Sequence, residues 1–337
     1  MFETWTWPTS NTFALTAPEY PWIDLHWIFQ LALYSAWLLG GATGVIVLAS
    51  VLVAATSLVL YGLARRFVPP MLAAFLIALA LTISCPRFVP RPELLSFLYF
   101  AVCLVVLEGY PRNGRAIYLL VPLQILWVNT QGIFAVGLAL MGCYWLGATL
   151  AFLPLPRGWR QASGLVVADW RRLTGVLVVA TLGCLLNPWG IDGALFPFQL
   201  LPRVTGNSLF SSRIGEFRAP LDSGYALPLV YTWLALLVAS GLSFLLNMGR
   251  WHLGRVLAVV AFGVLSTQSL RNVAFFGWMA VPAIAANVGP LLERWRVPSR
   301  LRGGLAVATL AGIALLIGSV VTNQFSHAMA IEREFGI

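Results

Sequence analysis

Residues 43–66 read TGVIVLASVLVAATSLVLYGLARR, an uncharged run that stops at a pair of arginines. About 20 apolar residues cross the ~30 Å hydrocarbon layer of a bilayer, so 43–64 is long enough to span one. The same pattern recurs outward from it. Apolar runs punctuated by Arg, Pro or Gly fall at 43–64, 70–85, 94–109, 116–128, 131–153, 173–188, 226–247, 254–269, 272–291 and 303–323. The pattern predicts an all-α polytopic membrane protein with about ten transmembrane helices over residues 43–323. Composition agrees, since 59% of the 337 residues are hydrophobic and 10% charged, against roughly 45–50% and 25% in soluble domains. Ten spans use roughly 200 residues, which leaves short loops and no large soluble domain.

The net charge of +9 rests on 21 basic residues, all of them arginine. Without lysine, Schiff-base and P-loop chemistry are excluded. The arginines sit in short clusters between apolar runs, as a topology signal does, and not as a nucleic-acid-binding surface. Arg65, Arg66, Arg112, Arg115, Arg157, Arg160, Arg171, Arg172, Arg250, Arg255, Arg294, Arg296, Arg300 and Arg302 fall on one side. These are 14 of the 21, and the positive-inside rule makes that side cytoplasmic. Residues 1–42, a loop at about 189–225 and a tail at 324–337 are then external. Met1-Phe2-Glu3 opens the chain with neither a basic stretch nor an apolar one, so this topology expects a further span upstream to carry residues 1–42 outward.

The external segment contains Trp22-Ile-Asp24-Leu-His26-Trp27-Ile-Phe-Gln30, with Trp27, Leu31, Tyr34 and Leu38 at helical spacing. An amphipathic helix lying in the outer interface is expected there, its tryptophans at headgroup level. Cys85, Cys103, Cys143 and Cys184 lie far apart with no metal or redox spacing; they read as small buried apolar residues.

The centres of the runs hold almost no ionisable residue, which disfavours a proton-coupled transporter. Polar groups gather instead at the external ends. In Cys85-Pro-Arg87-Phe-Val-Pro-Arg91-Pro-Glu93, proline at the start of a helix places Glu93 in the first turn. Arg91 is then either its ion-pair partner or, with Arg87, a phosphate ligand held by a fork of donors. Asp24 is either a helix N-cap or a general base or metal ligand, with His26 beside it packing at the interface or assisting that chemistry. Asn129 and Gln131, in Trp127-Val-Asn129-Thr-Gln131-Gly132, suit a turn or a binding site. Asn187-Pro-Trp-Gly190 reads mainly as a helix stop. Arg271 can pair with Glu93 or Glu216, or bind phosphate.

Thr16-Ala-Pro-Glu-Tyr-Pro-Trp22-Ile-Asp24-Leu-His26-Trp27, Arg91-Pro-Glu93, Trp127-Val-Asn129-Thr-Gln-Gly132 and Asn187-Pro-Trp-Gly190, in this order, resemble a group of bacterial polytopic proteins. That group is similar to the C-type membrane glycosyltransferases, which take a sugar from a polyprenyl-phosphate carrier at the outer face of the cytoplasmic membrane. The resemblance implies a bacterial inner-membrane enzyme with a lipid-linked sugar donor, sometimes assisted by a divalent cation. Asp24 and Glu93 become the candidate catalytic carboxylates. Arg87, Arg91, Arg271, His26, Trp27, Asn129, Gln131 and Asn187 become candidate substrate contacts. The chain departs from the group in lacking a first span followed by an acidic first loop, and in carrying His26 where a carboxylate is common. The alternative reading is a non-catalytic scaffold or flippase-like lipid carrier of envelope biogenesis, which needs the arginines but no positioned carboxylate.

Overall fold

The computed structural model describes residues 22–110, 114–204, 215–222 and 227–294, and Gly304. Residues 1–21 of the expected N-terminal segment, the run at 303–323 apart from Gly304, and the tail at 324–337 lie outside the described residues. Every regular element among those described is a helix. α1 is Trp27–Ala64, α2 Pro70–Ser84 and α3 Glu93–Gly109. α4 is Leu120–Val128, entered through a 3₁₀ turn, as is α5, Ala135–Leu150. α6 is Arg157–Ser163, α7 Val167–Gly183, α8 Gly190–Val204, α9 Leu227–Leu246, α10 Leu253–Gln268 and α11 Leu270–Arg294.

Nine of the ten apolar runs therefore coincide with helices. Among the described residues, five helical segments are long and apolar enough to cross a membrane, namely Trp27–Ala64, Pro70–Arg87, Gly132–Leu150, Leu227–Leu246 and Leu270–Arg294. Prolines set the starts, with Pro70 in the first turn of α2 and Pro92 capping α3, positions where a missing N–H removes no helical bond. α7 begins six residues before the expected run. Its first turns, Val167–Arg172, carry Asp169, Arg171 and Arg172, and charge there marks the helix end facing water, not the end of the helix.

α11 is the centre of the molecule and packs on α1, α2, α3, α9 and α10. Aromatic rings fill the middle, Phe275 meeting Phe97 and Phe100 edge-on at 5.2 and 5.4 Å, and Phe262 closing on Phe100 at 5.1 Å. Glycines let backbones approach where helices cross: Gly147 of α5 lies against Gly254 of α10, and Gly277 of α11 against Ala80 and Ile83 of α2.

The helix bundle has two chemically distinct ends. Tyr110 bonds the Asp169 carbonyl, Trp159 that of Met248, and Arg255 lies over Phe67, so the connections bearing Arg65, Arg66, Arg115, Arg157, Arg160, Arg171, Arg172 and Arg250 share one end. At the other, Ile28 bonds Asn129, Asn129 bonds Leu186, and Glu216 bonds Arg87. The second end carries Arg87, Arg91, Arg218 and Arg271.

α1 does not run straight. Gly40 and Gly41 leave helical geometry, Gly41 at φ +56°, a region a side chain disfavours. The chain folds back there, so that Gly44 sits under the carbonyl of Ala36 with no room for a Cβ. Residues 27–39 thus form an arm lying along residues 45–52. The sequence led us to expect an amphipathic helix here; beyond Gln30 the arm's polar side chains are Tyr34 and Ser35, and Tyr34, Trp37, Leu38 and Leu39 are all exposed. The polar residues Asp24, His26 and Gln30 do not line one face but gather at its start.

Candidate functional site

Two polar groups occupy the arginine-poor end. The first is built on Glu93, in the first turn of α3 and 3% exposed. One of its oxygens accepts from Arg87 through Nε at 2.8 Å and also through Nη2; the other accepts from Arg271 Nε at 2.8 Å. Both oxygens are committed. The partners of Glu93 are therefore Arg87 and Arg271, and Arg91 is not among them. Arg91 reaches Glu216, whose Oε2 it shares with Arg87 at 3.1 and 2.7 Å respectively.

Glu216 enters from the segment between α8 and α9. Ser269 Oγ donates to its carbonyl at 2.8 Å and Leu270 N donates to the Arg218 carbonyl at 3.0 Å, which pins this segment to the start of α11. Arg271 lies 6.0 Å from the ring centre of Phe217, a cation–π distance. Burial pushes the Glu216 carboxyl up, but the hydrogen bond and charge of Arg87, with Arg271 and Arg91, hold it below the usual range. Three arginines against two carboxylates leave one positive charge over. The surplus is at Arg91, whose side chain is 54% exposed and whose hydrogen bond to Glu216 leaves most of its donor fork open.

The second group is Asp24, His26 and Gln30. Asp24 is buried; its Oδ1 accepts from the His26 backbone N at 3.0 Å and lies 3.1 Å from His26 Nδ1, while Oδ2 accepts from Gln30 Nε2 at 2.6 Å. Burial alone raises its pKa, but these hydrogen bonds outweigh it and hold the carboxyl below its ordinary value. Trp27 Nε1 donates to Asn129 Oδ1 at 3.0 Å, and Asn129 Nδ2 in turn donates to the carbonyls of Ile125 and Leu186. Asn129 is the hub tying the arm to α4 and α7.

Gln131 accepts from Ser96, which accepts from Trp127, and is buried in that chain. Asn187 caps its own turn, accepting from Trp189 N and donating to the carbonyls of Cys184 and Gly190. Of the expected substrate contacts, Asn129, Gln131 and Asn187 therefore hold the local backbone and side chains in place, and Trp27 anchors the arm. Next to these groups, Phe29 and Leu33 of the arm pack against Val45, Leu48, Ala49 and Leu52 of α1 and against Pro90 and Leu94, the neighbours of Arg91 and Glu93.

Among the described residues no group of three or more His, Cys, Asp and Glu side chains is placed to hold a metal ion. Asp24 and His26 are two potential ligands, with both Asp24 oxygens engaged.

A third charged group lies at the opposite end and escaped the sequence reading. Glu108 accepts from Arg255 through Nε at 2.6 Å and Nη2 at 2.5 Å, and from the Tyr144 hydroxyl. Its signal was a carboxylate within an apolar run, a position that requires a partner. No family model, curated protein or solved structure matches the chain.

Proposed function

We propose that the chain is a ten-span transferase of the bacterial cytoplasmic membrane. It moves a sugar from a polyprenyl-phosphate donor to an acceptor at the outer face, where the arginine-poor end lies. The observation that carries this reading is the half-exposed Arg91 at the edge of the Arg87–Glu93–Arg271–Glu216 cluster. A guanidinium fork with open donors suits a phosphate. Glu93, with both oxygens bound, acts as the counter-ion that keeps two arginines buried at the site. Glu216 occupies one face of the Arg87–Arg91 pair with a single oxygen, and an incoming phosphate takes its place. As the sugar leaves the phosphate, Arg91 and Arg87 stabilise the charge that develops there.

A second reading, a lipid-phosphate carrier or scaffold without chemistry, is favoured by the full engagement of Glu93. Farnesyl phosphate binding to the protein in nanodiscs, followed by sugar release from farnesyl-phosphoryl hexoses and pentoses, separates the two. Binding with turnover supports the transferase. Binding without turnover supports the carrier, and no binding defeats both. Arg91→Lys, which loses the fork but keeps the charge, is expected to weaken farnesyl phosphate binding about 10-fold, whereas Glu216→Gln, which removes a competing anion, is expected to tighten it several-fold. Weaker binding in both variants means that Glu216 orders the site and does not compete for it.

Sidedness has its own check. Gln161, on α6, and Asp222 are both exposed, at opposite ends of the bundle. A cysteine at Asp222 is expected to react with an impermeant thiol reagent in intact cells, and one at Gln161 only after lysis. Equal labelling in intact cells overturns the orientation.

A further inference from the structure

We propose that His26 is the proton acceptor of the transfer and that Asp24 is its positioning residue, the two forming a carboxylate–imidazole dyad at the start of the arm. This rests on the transferase reading and assigns the base that the reading leaves open. The sequence leaves Asp24 as a helix N-cap or as a general base or metal ligand, and the geometry gives it a different task. Asp24 is 6% exposed and both its oxygens already accept hydrogen bonds, from His26 and Gln30, which makes it the less accessible of the two groups. The imidazole, by contrast, is 37% exposed.

The hydrogen-bond chemistry fixes which imidazole nitrogen is free. Asp24 is held in its ionised form, and a carboxylate only accepts hydrogen bonds. The contact at 3.1 Å therefore requires the hydrogen on Nδ1, which leaves the lone pair on Nε2. A fixed tautomer with a free Nε2 lone pair on a part-exposed ring is what a general base needs. The ring is also held in place by the chain around it: its own backbone N bonds Asp24, the next residue, Trp27, bonds Asn129, and Ile28 N bonds the Asn129 carbonyl at 3.3 Å. One helical turn further, Phe29 packs beside Pro90 and Leu94, which flank Arg91 and Glu93. The dyad and the arginine cluster thus lie at the same end of the bundle.

In the step this assigns, the acceptor hydroxyl gives its proton to His26 Nε2 while its oxygen forms a bond to the anomeric carbon. The bond from that carbon to the phosphate oxygen breaks, and its electron pair leaves with the lipid phosphate beside Arg91. The imidazolium, stabilised by Asp24, then returns its proton to water.

The test has a spectroscopic arm and a kinetic arm. With ¹⁵N-histidine in nanodisc-embedded protein, the His26 signals, identified by their loss in His26→Gln, are expected to show the Nδ1–H tautomer. Asp24→Ala is expected to abolish that preference. An Nε2–H tautomer in the unaltered protein overturns the dyad. In the kinetic arm, His26→Ala is expected to lower kcat about 10²- to 10⁴-fold on farnesyl-phosphoryl sugars with KM unchanged, and added imidazole to restore part of the rate. Full activity in His26→Ala, or a loss that imidazole does not restore in protein that remains monodisperse, overturns the proposal alone. An unaltered protein that releases no sugar overturns the transferase reading on which it rests.

Discussion

Glu93→Gln is expected to unfold the arginine-poor end of the molecule before it affects any chemistry there. The substitution keeps the size of the side chain and removes its charge. Arg87, whose side chain is 10% exposed, and Arg271, 27% exposed, then face each other across a neutral amide. Removing one partner of a buried ion pair costs about 3–5 kcal/mol, because the remaining charge is stranded, and here two charges are stranded. The neighbouring Glu216 offsets part of this through Arg87, which places the expected loss inside that range and not above it. Denaturant titration of the detergent-solubilised protein reads the shift. Glu93→Asp, which retains the charge on a shorter stem, is expected to lose less. If Glu93→Gln is as stable as the parent and only sugar release falls, Glu93 is a chemical participant and its pairing with two arginines is incidental to stability.

The same cluster shows where sequence reading succeeds and where it stops. α2, α3 and α4 were legible almost to the residue, since Pro70, Pro92 and the apolar runs behind them are local signals that the backbone obeys without reference to the rest of the chain. The charge segregation was legible for a related reason, because each arginine cluster sits at a helix end whatever the helices pack against. Partnership was not legible. Arg271 bonds Glu93 across 178 positions of sequence and Arg87 bonds Glu216 across 129. A list of external polar residues contains all four without saying which pairs form, and Arg91–Glu93, two positions apart, looked the better match. Helical geometry decides against it: Arg91 precedes the first turn and points to the segment carrying Glu216, while Glu93 turns inward with α3. The reversal at Gly40-Gly41 was half legible. Two glycines announce a break, but only the close contact of Gly44 with Ala36 reveals that the arm lies back along its own helix. For the same reason Asp24, His26 and Gln30, read as polar interruptions of an amphipathic pattern, proved to be one hydrogen-bonded group.

Glu108→Gln is the companion case at the other end of α3, and its expected outcome separates stability from function. The Glu108 side chain is 2% exposed and is held by Arg255 through two hydrogen bonds and by the Tyr144 hydroxyl, so α3 is clamped to α5 and α10 here as it is clamped to α11 through Glu93. The amide cannot satisfy both donors of a guanidinium as a carboxylate does, and Arg255 is left charged within the protein; a loss of about 3–5 kcal/mol is expected. Replacing both partners, Glu108→Gln with Arg255→Met, removes the stranded charge and is expected to recover most of that loss, because a buried pair is worth much less against an apolar replacement than its single deletions suggest. The cycle of single and double variants measures the coupling directly. Glu93 and Glu108 are fifteen positions apart on one helix, about 22 Å along its axis at 1.5 Å per residue, so the folded fraction of the double variant is expected to bind farnesyl phosphate as the parent does. If the double variant is stable yet binds poorly, α3 transmits the state of the arginine-rich end to the Arg91 cluster, and the two clamps act as one device instead of two.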